Sequence, residues 1–209
     1  LSAAGKSFSG QEAGIIWRDD AGEWHRSASV ADCGVHWTSE ATAVQIDSTT
    51  IRQFVRDGHT TLFYVDYTLQ DGIWDPGELV DTGMVKRGAN GNQLSAIKYS
   101  EKIDGKDAIL VSLASSTSGR TDGKIYVGLV NDDKTMEWKY SYAVTEPGGA
   151  FAYSCLTELA DGSIAILYEG SGDPETFEII PTDDIISNKT NLNYTQKSIT
   201  MMEDGSVTL

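Results

Sequence analysis

The chain has 209 residues, with 31 acidic and 16 basic side chains and a net charge of −15. This acidity, without any concentrated basic stripe, argues against nucleic acid as a partner and against binding to an anionic membrane surface. No apolar run approaches the roughly 18–20 residues that a membrane span needs, so we expect no membrane insertion. An anionic ligand would have to be held by a few well-placed arginines rather than by the overall field.

Short apolar runs and period-two alternation predict an all-β chain, because helical periodicity is almost absent. In chain order, the clearest predicted strands are residues 62–67, 109–113, 124–130 and 164–168. A single helical turn is predicted around residues 182–185. No linker or compositional break divides the chain, so we expect residues 1–209 to form one domain, or part of one.

Asp-centred turns recur between apolar strands at a regular interval, at Asp47, Asp104, Asp161 and Asp204. In the last three, the Gly that follows supplies the positive φ that tight hairpins require. The spacings are 57, 57 and 43 residues. A unit of about 50 residues with four short strands is typical of one blade of a β-propeller. The sequence therefore predicts about four blades, and a closed propeller often has about six.

Two segments resemble the Asp-box turn, Ser-x-Asp-x-Gly-x-Thr-Trp. Asn131-Asp-Asp-Lys-Thr-Met-Glu-Trp138 keeps the Asp and the Trp in register, with Thr135 at the Gly position. Asp20-Ala-Gly-Glu-Trp24 is similar but one residue shorter. In such a turn the Asp side chain caps its own backbone while the Trp packs beneath it.

The two cysteines, Cys33 and Cys155, lie in unrelated contexts without the spacing of metal ligands. We expect both to be small buried side chains rather than a disulfide. Neither a zinc site nor a cofactor is expected.

Hairpin symmetry brings four chemically interesting side chains to one place. Residues equidistant from the centre of a hairpin lie opposite each other, with Cβ atoms about 5 Å apart. Glu40 and Arg56 are each eight residues from the centre of the first Asp turn, and Tyr153 and Glu169 are each eight from the third. If both hairpins are the innermost of their blades, all four lie at the same mouth of the propeller. Glu40 and Arg56 could also be a surface ion pair, and Tyr153 could be an ordinary core tyrosine. The spacing alone therefore does not decide whether these residues are catalytic.

Three longer segments carry a family resemblance. The most distinctive is Phe151-Ala-Tyr-Ser-Cys-Leu-Thr-Glu-Leu-Ala-Asp-Gly-Ser-Ile-Ala-Ile-Leu-Tyr-Glu169. The others are Ser39-Glu-Ala-Thr-Ala-Val44 followed by Ile51-Arg-Gln-Phe-Val-Arg56, and Ser118-Gly-Arg-Thr-Asp-Gly-Lys-Ile-Tyr-Val-Gly-Leu-Val130. They resemble the tyrosine, glutamate and arginine segments of the bacterial retaining sialidases (neuraminidases), above all the large secreted enzymes of Gram-positive bacteria.

The resemblance implies a six-bladed β-propeller, of which this chain would cover roughly the last three to four blades. It implies Tyr153 as the catalytic nucleophile and Glu40 as its general base. Arg56 and Arg120 would be two of three arginines that bind the carboxylate of sialic acid.

The resemblance also implies supporting roles for two residues. Glu169 would orient the remaining arginine, and Gln93 would contribute to the sugar pocket from its loop. In relatives that arginine and the catalytic acid/base Asp precede the matching region, so we expect the remainder of the propeller upstream of Leu1.

These residue types suit an anionic sugar. Sialic acid carries a carboxylate on its anomeric carbon, which would repel a carboxylate nucleophile, and sialidases with a tyrosine nucleophile are an exception to the two-carboxylate scheme of glycosidases. A tyrosine with its ordinary pKa near 10 needs a base within hydrogen-bonding reach. A planar guanidinium binds a carboxylate through two hydrogen bonds.

The function expected from the resemblance is that of an exo-α-sialidase acting on glycoproteins, gangliosides or oligosaccharides. A variant that transfers the sialyl group to another acceptor, or to the substrate's own hydroxyl, would use the same residues. A sialic-acid-binding propeller without turnover is the alternative from another class of function. The family further implies a secreted or cell-surface bacterial protein.

Overall fold

The computed structural model describes residues 11–30, 38–88, 90–171, 175–187, 200–201 and 207–208. Nearly all of the regular structure in these ranges is β. The strands are β1 (Ile16–Arg18), β2 (Trp24–Arg26), β3 (Ala41–Asp47), β4 (Thr50–Val55), β5 (Thr61–Gln70), β6 (Ile73–Val85), β7 (Ser95–Lys98), β8 (Ala108–Ala114), β9 (Gly123–Val130), β10 (Met136–Ala143), β11 (Ala152–Glu158), β12 (Ile164–Glu169), β13 (Thr176–Ile180), β14 (Thr200–Met201) and β15 (Val207–Thr208).

The strands form antiparallel meanders in which each strand pairs with the next along the chain. Two meanders have four strands, β3 to β6 and β7 to β10, and a third, β11 to β13, has three. Two-stranded hairpins, β1–β2 and β14–β15, lie near either end of the described residues. Four-stranded meanders of this kind are the blades of a β-propeller, so the predicted all-β propeller fold is confirmed.

The blades stack face to face through two apolar cores. Phe54 and Tyr64 of the first meander pack with Ile109 and Leu113 of the second. A second core joins β8 and β9 to the third meander and includes Phe151, whose ring stacks on that of Tyr168 at a centroid distance of 4.7 Å. Strands β3, β7 and β11 are the first of each meander, and β7 contacts both of the others.

The predicted Asp turns form as expected where the structure describes them. Asp161 Oδ1 accepts a hydrogen bond from the backbone N–H of Ser163 at 3.0 Å, and Asp47 Oδ1 accepts one from Thr49 at 2.9 Å. Asp104 has a φ of 51° and the following Gly105 one of 79°, as a tight hairpin requires. The turn at Asp204 lies outside the described residues, although the strands that flank it pair with each other.

The turn before β10 has the same self-capping geometry. Asp133 Oδ1 accepts hydrogen bonds from the backbone and the hydroxyl of Thr135 at 3.0 and 2.6 Å. The ring of Trp138 packs edge-on against Phe54 at 6.2 Å. In the β1–β2 hairpin the capping residue is Asp19 rather than Asp20, because Asp19 Oδ1 accepts the backbone N–H of Glu23 at 2.8 Å.

Two smaller predictions had different outcomes. The helical turn is present as α1, Thr182–Ile186, which buries Ile185 in the second core. The prediction that Cys155 is buried is wrong, because it lies on an exposed face of β11. Cys33 lies outside the described residues.

None of the helices in the described residues has the length and apolar character needed to cross a bilayer.

Candidate active site

Glu40 and Arg56 form an ion pair at the open end of the β3–β4 hairpin. The ladder pairs Ala41 with Val55, and the next step pairs Glu40 with Arg56 through a backbone hydrogen bond of 2.9 Å. Arg56 Nη1 donates to Glu40 Oε2 at 2.6 Å, with the arginine only 4% exposed and the glutamate 43% exposed. This placement follows the hairpin symmetry of the sequence.

Tyr153 does not lie opposite Glu169, and that expectation is wrong. The β11–β12 ladder pairs Ser154 with Tyr168 but pairs Ala152 with Glu169, so Tyr153 occupies a β-bulge. Its φ is +31°, in the left-handed region that non-glycine residues seldom adopt. A bulge bends the strand and redirects its side chain, which here leaves the phenol 38% exposed.

The bulge directs the phenol of Tyr153 to the Glu40–Arg56 pair. Tyr153 Oη donates to Glu40 Oε1 at 3.2 Å and accepts a hydrogen bond from Arg56 Nη1, also at 3.2 Å. Residues 97 and 113 positions apart in the sequence thus share one hydrogen-bonded triangle. A hydroxyl between a carboxylate and a guanidinium has both an acceptor for its proton and a donor for the charge that deprotonation leaves on oxygen.

Electrostatics keep Arg56 charged within this cluster. Burial of the guanidinium disfavours its charge, but the hydrogen bonds and charges of Glu40 and Tyr153 outweigh burial and raise the pKa of Arg56 above its ordinary value. Arg56 Nε also donates to the backbone carbonyl of Asn90 at 2.8 Å. The guanidinium is therefore fixed at two separate nitrogens, which sets the plane of its fork.

Arg120 completes the group from the loop between β8 and β9. Its Cζ lies 5.1 Å from the centroid of the Tyr153 ring, and its side chain is exposed. Its carbonyl accepts a hydrogen bond from the backbone N–H of Phe151 at 2.9 Å. The loop is thereby tied to the segment that leads into the Tyr153 bulge.

Glu169 and Gln93, for which the resemblance implies supporting roles, lie in different surroundings. Glu169 ends β12 as an exposed residue opposite Ala152, and its side chain makes no hydrogen bond or ion pair within the described part of the chain. Gln93 does reach the site, but its amide binds the backbone of Ser154 rather than facing open space: Oε1 accepts the Ser154 N–H at 2.7 Å, and Nε2 donates to the Ser154 carbonyl at 3.1 Å.

A buried ion pair behind Arg56 was not predicted from the sequence. Asp57 and Lys86 are both fully buried, and Lys86 Nζ donates to Asp57 Oδ1 and to the carbonyl of His59, each at 2.7 Å. Gly91 has a φ of 61°, and a Cβ there would meet the Asp57 carbonyl at 2.3 Å. The pair thus lies beneath the loop that holds Arg56 through Asn90. The only sequence signal was a charged residue beside each of two strand ends.

The part of the chain that the structure describes contains no group of three or more His, Cys, Asp or Glu side chains that could hold a metal ion. An open cavity of about 600 Å³ follows β3 and β7 and is lined by residues 43–48 and 96–98. None of these belongs to the cluster of Glu40, Arg56, Arg120 and Tyr153. We centre the candidate site on that cluster because there a phenol from the third meander meets a carboxylate and a guanidinium from the first, with a second guanidinium beside its ring.

The sequence of the chain is similar to those of known sialidases. No family model matches the chain. It is 38% identical over 170 residues to an anhydrosialidase of Macrobdella decora, covering 78% of this chain and 22% of the relative. It is 34% identical over 164 residues to sialidase B of Streptococcus pneumoniae, covering 78% of this chain and 23% of the relative.

A solved structure shows the same likeness in three dimensions. The leech intramolecular trans-sialidase in complex with 2,7-anhydro-Neu5Ac superposes with a TM-score of 0.75 at 33% identity, over 86% of this chain and 29% of that one. Fold and sequence together place the chain among the β-propeller proteins of the glycoside hydrolase class. Within that class it belongs to the sialidase family, and it spans between a fifth and a quarter of the length of these two curated relatives.

Proposed function

We propose that the protein containing this chain is an exo-α-sialidase that removes terminal sialic acid with retention of configuration, and that this chain supplies its nucleophile. The observation that carries the proposal is the position of Tyr153 Oη, 3.2 Å from both Glu40 and Arg56. Sialylated glycoproteins, gangliosides and oligosaccharides are the proposed substrates. The reaction uses no cofactor.

In the first step, Glu40 takes the phenolic proton as the Tyr153 oxygen attacks the anomeric carbon. The glycosidic C–O bond breaks, and the leaving oxygen receives a proton from an acid outside this chain. Arg56 Nη1 donates to the phenolic oxygen and stabilises the negative charge that develops there. A neutral phenol also avoids the repulsion that an anionic nucleophile would meet at a carbon bearing a carboxylate.

In the second step, water attacks the sialosyl–tyrosine and gives up a proton to the conjugate base of the acid that protonated the leaving group, while the phenolic oxygen leaves and recovers its own proton from Glu40. Two displacements at one carbon return the original configuration. Holding the phenol between two fixed charged groups removes the orientational cost of bringing base and nucleophile together.

Arg56 and Arg120 are the proposed ligands of the substrate carboxylate. Arg120 lies over the Tyr153 ring with its guanidinium exposed, so it is open to an anion beside the phenol. Arg56 is already fixed by Asn90 and Glu40, which suits a pre-organised ligand. We further propose that the rest of the propeller supplies the third arginine, which Glu169 orients, and the acid/base Asp.

Intramolecular transfer is the second candidate, favoured by the names of two relatives. The anhydrosialidase and the leech intramolecular trans-sialidase are 38% and 33% identical to this chain. In that reaction a hydroxyl of the bound sugar, instead of water, would displace Tyr153. The Tyr153, Glu40 and arginine roles are the same in both reactions, so product analysis separates them.

Three further parts of the proposal concern the setting of the site. Residues 1–209 belong to one propeller domain, and its source is a secreted or cell-surface bacterial protein. The self-capping turn at Asp133, with Trp138 packed nearby, is a degenerate Asp-box.

The test is the full-length protein with Tyr153→Phe. The change removes only the hydroxyl, so turnover of a 4-methylumbelliferyl sialoside should fall at least about 1,000-fold, within the usual effect of losing a catalytic group. A 3-fluorosialosyl fluoride should label the wild type on the peptide that contains Tyr153, as seen by mass spectrometry.

Tyr140→Phe is the matched control. Tyr140 also donates to a carboxylate, Asp104 Oδ2 at 2.6 Å, but on the last strand of its meander and away from the site. Its substitution should leave turnover unchanged. Wild-type turnover in Tyr153→Phe would contradict the nucleophile, and binding without any turnover by the full-length wild type would favour the sialic-acid-binding module. Free sialic acid as the product indicates hydrolysis, and a 2,7-anhydro sugar indicates intramolecular transfer.

A further inference from the structure

The first strand of the third meander has an edge that pairs with no strand in the described part of the chain. Strand β11 pairs with β12 on one side, and the other side faces β7 and β8 of the neighbouring blade. Unpaired backbone groups at a strand edge need other partners when water is excluded. Here side chains provide them, since Ser95 Oγ accepts the N–H of Leu156 at 3.0 Å and Gln93 binds both backbone groups of Ser154.

Gln93 acts on the residue immediately after Tyr153, where the bulge occurs. A side-chain amide has the same donor and acceptor as a peptide group, so Gln93 replaces the missing strand at this one position. Its two hydrogen bonds to Ser154 are 2.7 and 3.1 Å long. Ser112 Oγ contacts Ser154 Oγ at 2.8 Å, and Ser154 is buried. Three of these interactions thus connect the second blade to a single residue of β11.

The backbone at Tyr153 needs such support. A non-glycine residue in the left-handed region is strained and persists only where its surroundings fix it. On the N-terminal side, Phe151 is held by the Arg120 carbonyl at 2.9 Å and is buried. On the C-terminal side, Gln93 fixes Ser154.

We propose that Gln93 is a positioning residue, which holds the Tyr153 bulge so that the phenol stays between Glu40 and Arg56. This inference rests on the proposed function of Tyr153. It differs from the expectation that Gln93 binds sugar. Both hydrogens of Nε2 are used, by Ser154 and by the Leu94 carbonyl at 2.8 Å. The amide therefore has no donor left for a ligand.

The experiment compares Gln93→Met and Gln93→Glu in the full-length protein with a fluorogenic sialoside. Gln93→Met keeps the length of the side chain and removes all three hydrogen bonds of the amide, two with Ser154 and one with the Leu94 carbonyl. Because a displacement of about 1 Å can cost roughly 100-fold in rate, kcat should fall by about that factor while KM changes less than about twofold. A sugar-binding role would instead raise KM.

Gln93→Glu provides a signature that a merely structural role would not give. The ionised carboxylate keeps the acceptor for the Ser154 N–H but faces the Ser154 and Leu94 carbonyls without a hydrogen, whereas the protonated form restores one donor. The activity of Gln93→Glu, divided by that of the wild type at the same pH, should therefore rise as the pH falls. A ratio that does not change with pH contradicts the proposal.

Gln53→Met is the control for losing a buried amide. Gln53 Nε2 donates to the Gly14 carbonyl at 3.2 Å and its Oε1 accepts from Tyr67 at 3.1 Å, so it has two comparable bonds outside the site. Its kcat should stay within about twofold of the wild type. Equal kcat in Gln93→Met and wild type overturns the inference alone, while a wild type that turns over no sialoside overturns the proposed function with it. If Gln93→Met does not fold, the pH ratio of Gln93→Glu decides.

Discussion

Lys86→Met tests whether the buried ion pair behind Arg56 stabilises the fold. Lys86 and Asp57 are both 0% exposed, and Lys86 Nζ donates to Asp57 Oδ1 at 2.7 Å, to the His59 carbonyl at 2.7 Å and to the Asp57 carbonyl at 3.1 Å. Methionine has a similar length and fills the space but donates nothing. Among the described residues, the substitution leaves the buried Asp57 carboxylate with the backbone and ring of His59 as its partners. Breaking one side of a buried pair costs about 3–5 kcal/mol.

The assay is equilibrium unfolding in urea, followed by tryptophan fluorescence. With a slope of about 2 kcal/mol per molar urea, the midpoint should fall by about 2 M. Lys98→Met is the matched control, because Lys98 also binds both a carboxylate and a backbone carbonyl, Asp107 and Ile46, each at 2.9 Å, but the side chains of Lys98 and Asp107 are 37% and 40% exposed. An exposed pair contributes about 0–1 kcal/mol, so that midpoint should move by less than about 0.5 M.

Equal midpoint shifts in the two lysine variants would refute the reasoning, since the difference between them is burial. The double variant Asp57→Asn/Lys86→Met removes the unpaired charge and should recover part of the loss, because the penalty of Lys86→Met comes largely from the carboxylate left behind. No recovery in the double variant would mean that the lysine acts through its backbone acceptors instead.

Two further predictions concern charge. Burial raises the pKa of Glu178 from 4.5 to about 7, against a hydrogen bond from Tyr168 that lowers it. As the pH rises, the folded protein therefore keeps this proton to a higher pH than the unfolded chain does. The contribution of Glu178 to the free energy of unfolding is fully present below about pH 4.5 and is lost as the pH rises towards 7. Glu178→Gln should raise Tm relative to the wild type at pH 8 but not at pH 4, and parallel changes at both pH values would contradict this. In Arg56→Lys, one nitrogen replaces Nε and Nη1, which bind different partners, Asn90 and Glu40. The kcat/KM for a fluorogenic sialoside should therefore fall about 10- to 100-fold. An unchanged value would contradict the proposal that the two separate nitrogens of the guanidinium are needed.

The strands and turns of this chain could be predicted because their causes are local. Period-two alternation marks a strand with one buried face, and Asp-Gly marks a positive φ, so the hairpins at Asp104 and Asp161 were visible in the sequence. The Glu40–Arg56 pair was predictable for a related reason. The ladder from Ala41–Val55 to Gln45–Ile51 is unbroken and symmetric about Ser48, and the register shift lies next to the turn, between Gln45 and Asp47. A count centred on Ser48 therefore reached the correct partners.

The Tyr153 bulge could not be predicted, because its causes are distant in sequence. Counting from Asp161 gives the correct pairs as far as Ser154–Tyr168 and fails at the next residue. The groups that hold the bulge, Gln93 and the Arg120 carbonyl, come from another blade. A pattern read along one hairpin contains no information about side chains that approach from the next.

Burial of charge was missed for a similar reason. Lys86 follows β6 and Asp57 follows β4, in positions where charged residues are normally exposed. Their burial depends on the tertiary arrangement, in which the loop at Gly91 closely approaches the Asp57 backbone. Cys155 is the opposite case, since a small apolar residue in a strand is usually buried but here lies on a face that no described element covers.

The position of the phenol depends on three sheets at once, which makes blade packing part of the site. Glu40 and Arg56 belong to the first meander, Gln93 and Arg120 to the second and its preceding loop, and Tyr153 to the third. Polar contacts also join the first meander to the second, away from the candidate site. Lys134 Nζ donates to Thr50 Oγ1 at 2.6 Å, and Lys98 Nζ donates to the Ile46 carbonyl at 2.9 Å. A hydrogen bond weakens steeply beyond about 3.5 Å, so a shift of a few tenths of an ångström between blades would separate a phenol that lies 3.2 Å from both partners. Tight packing between the blades is therefore what allows residues from separate blades to act as one group.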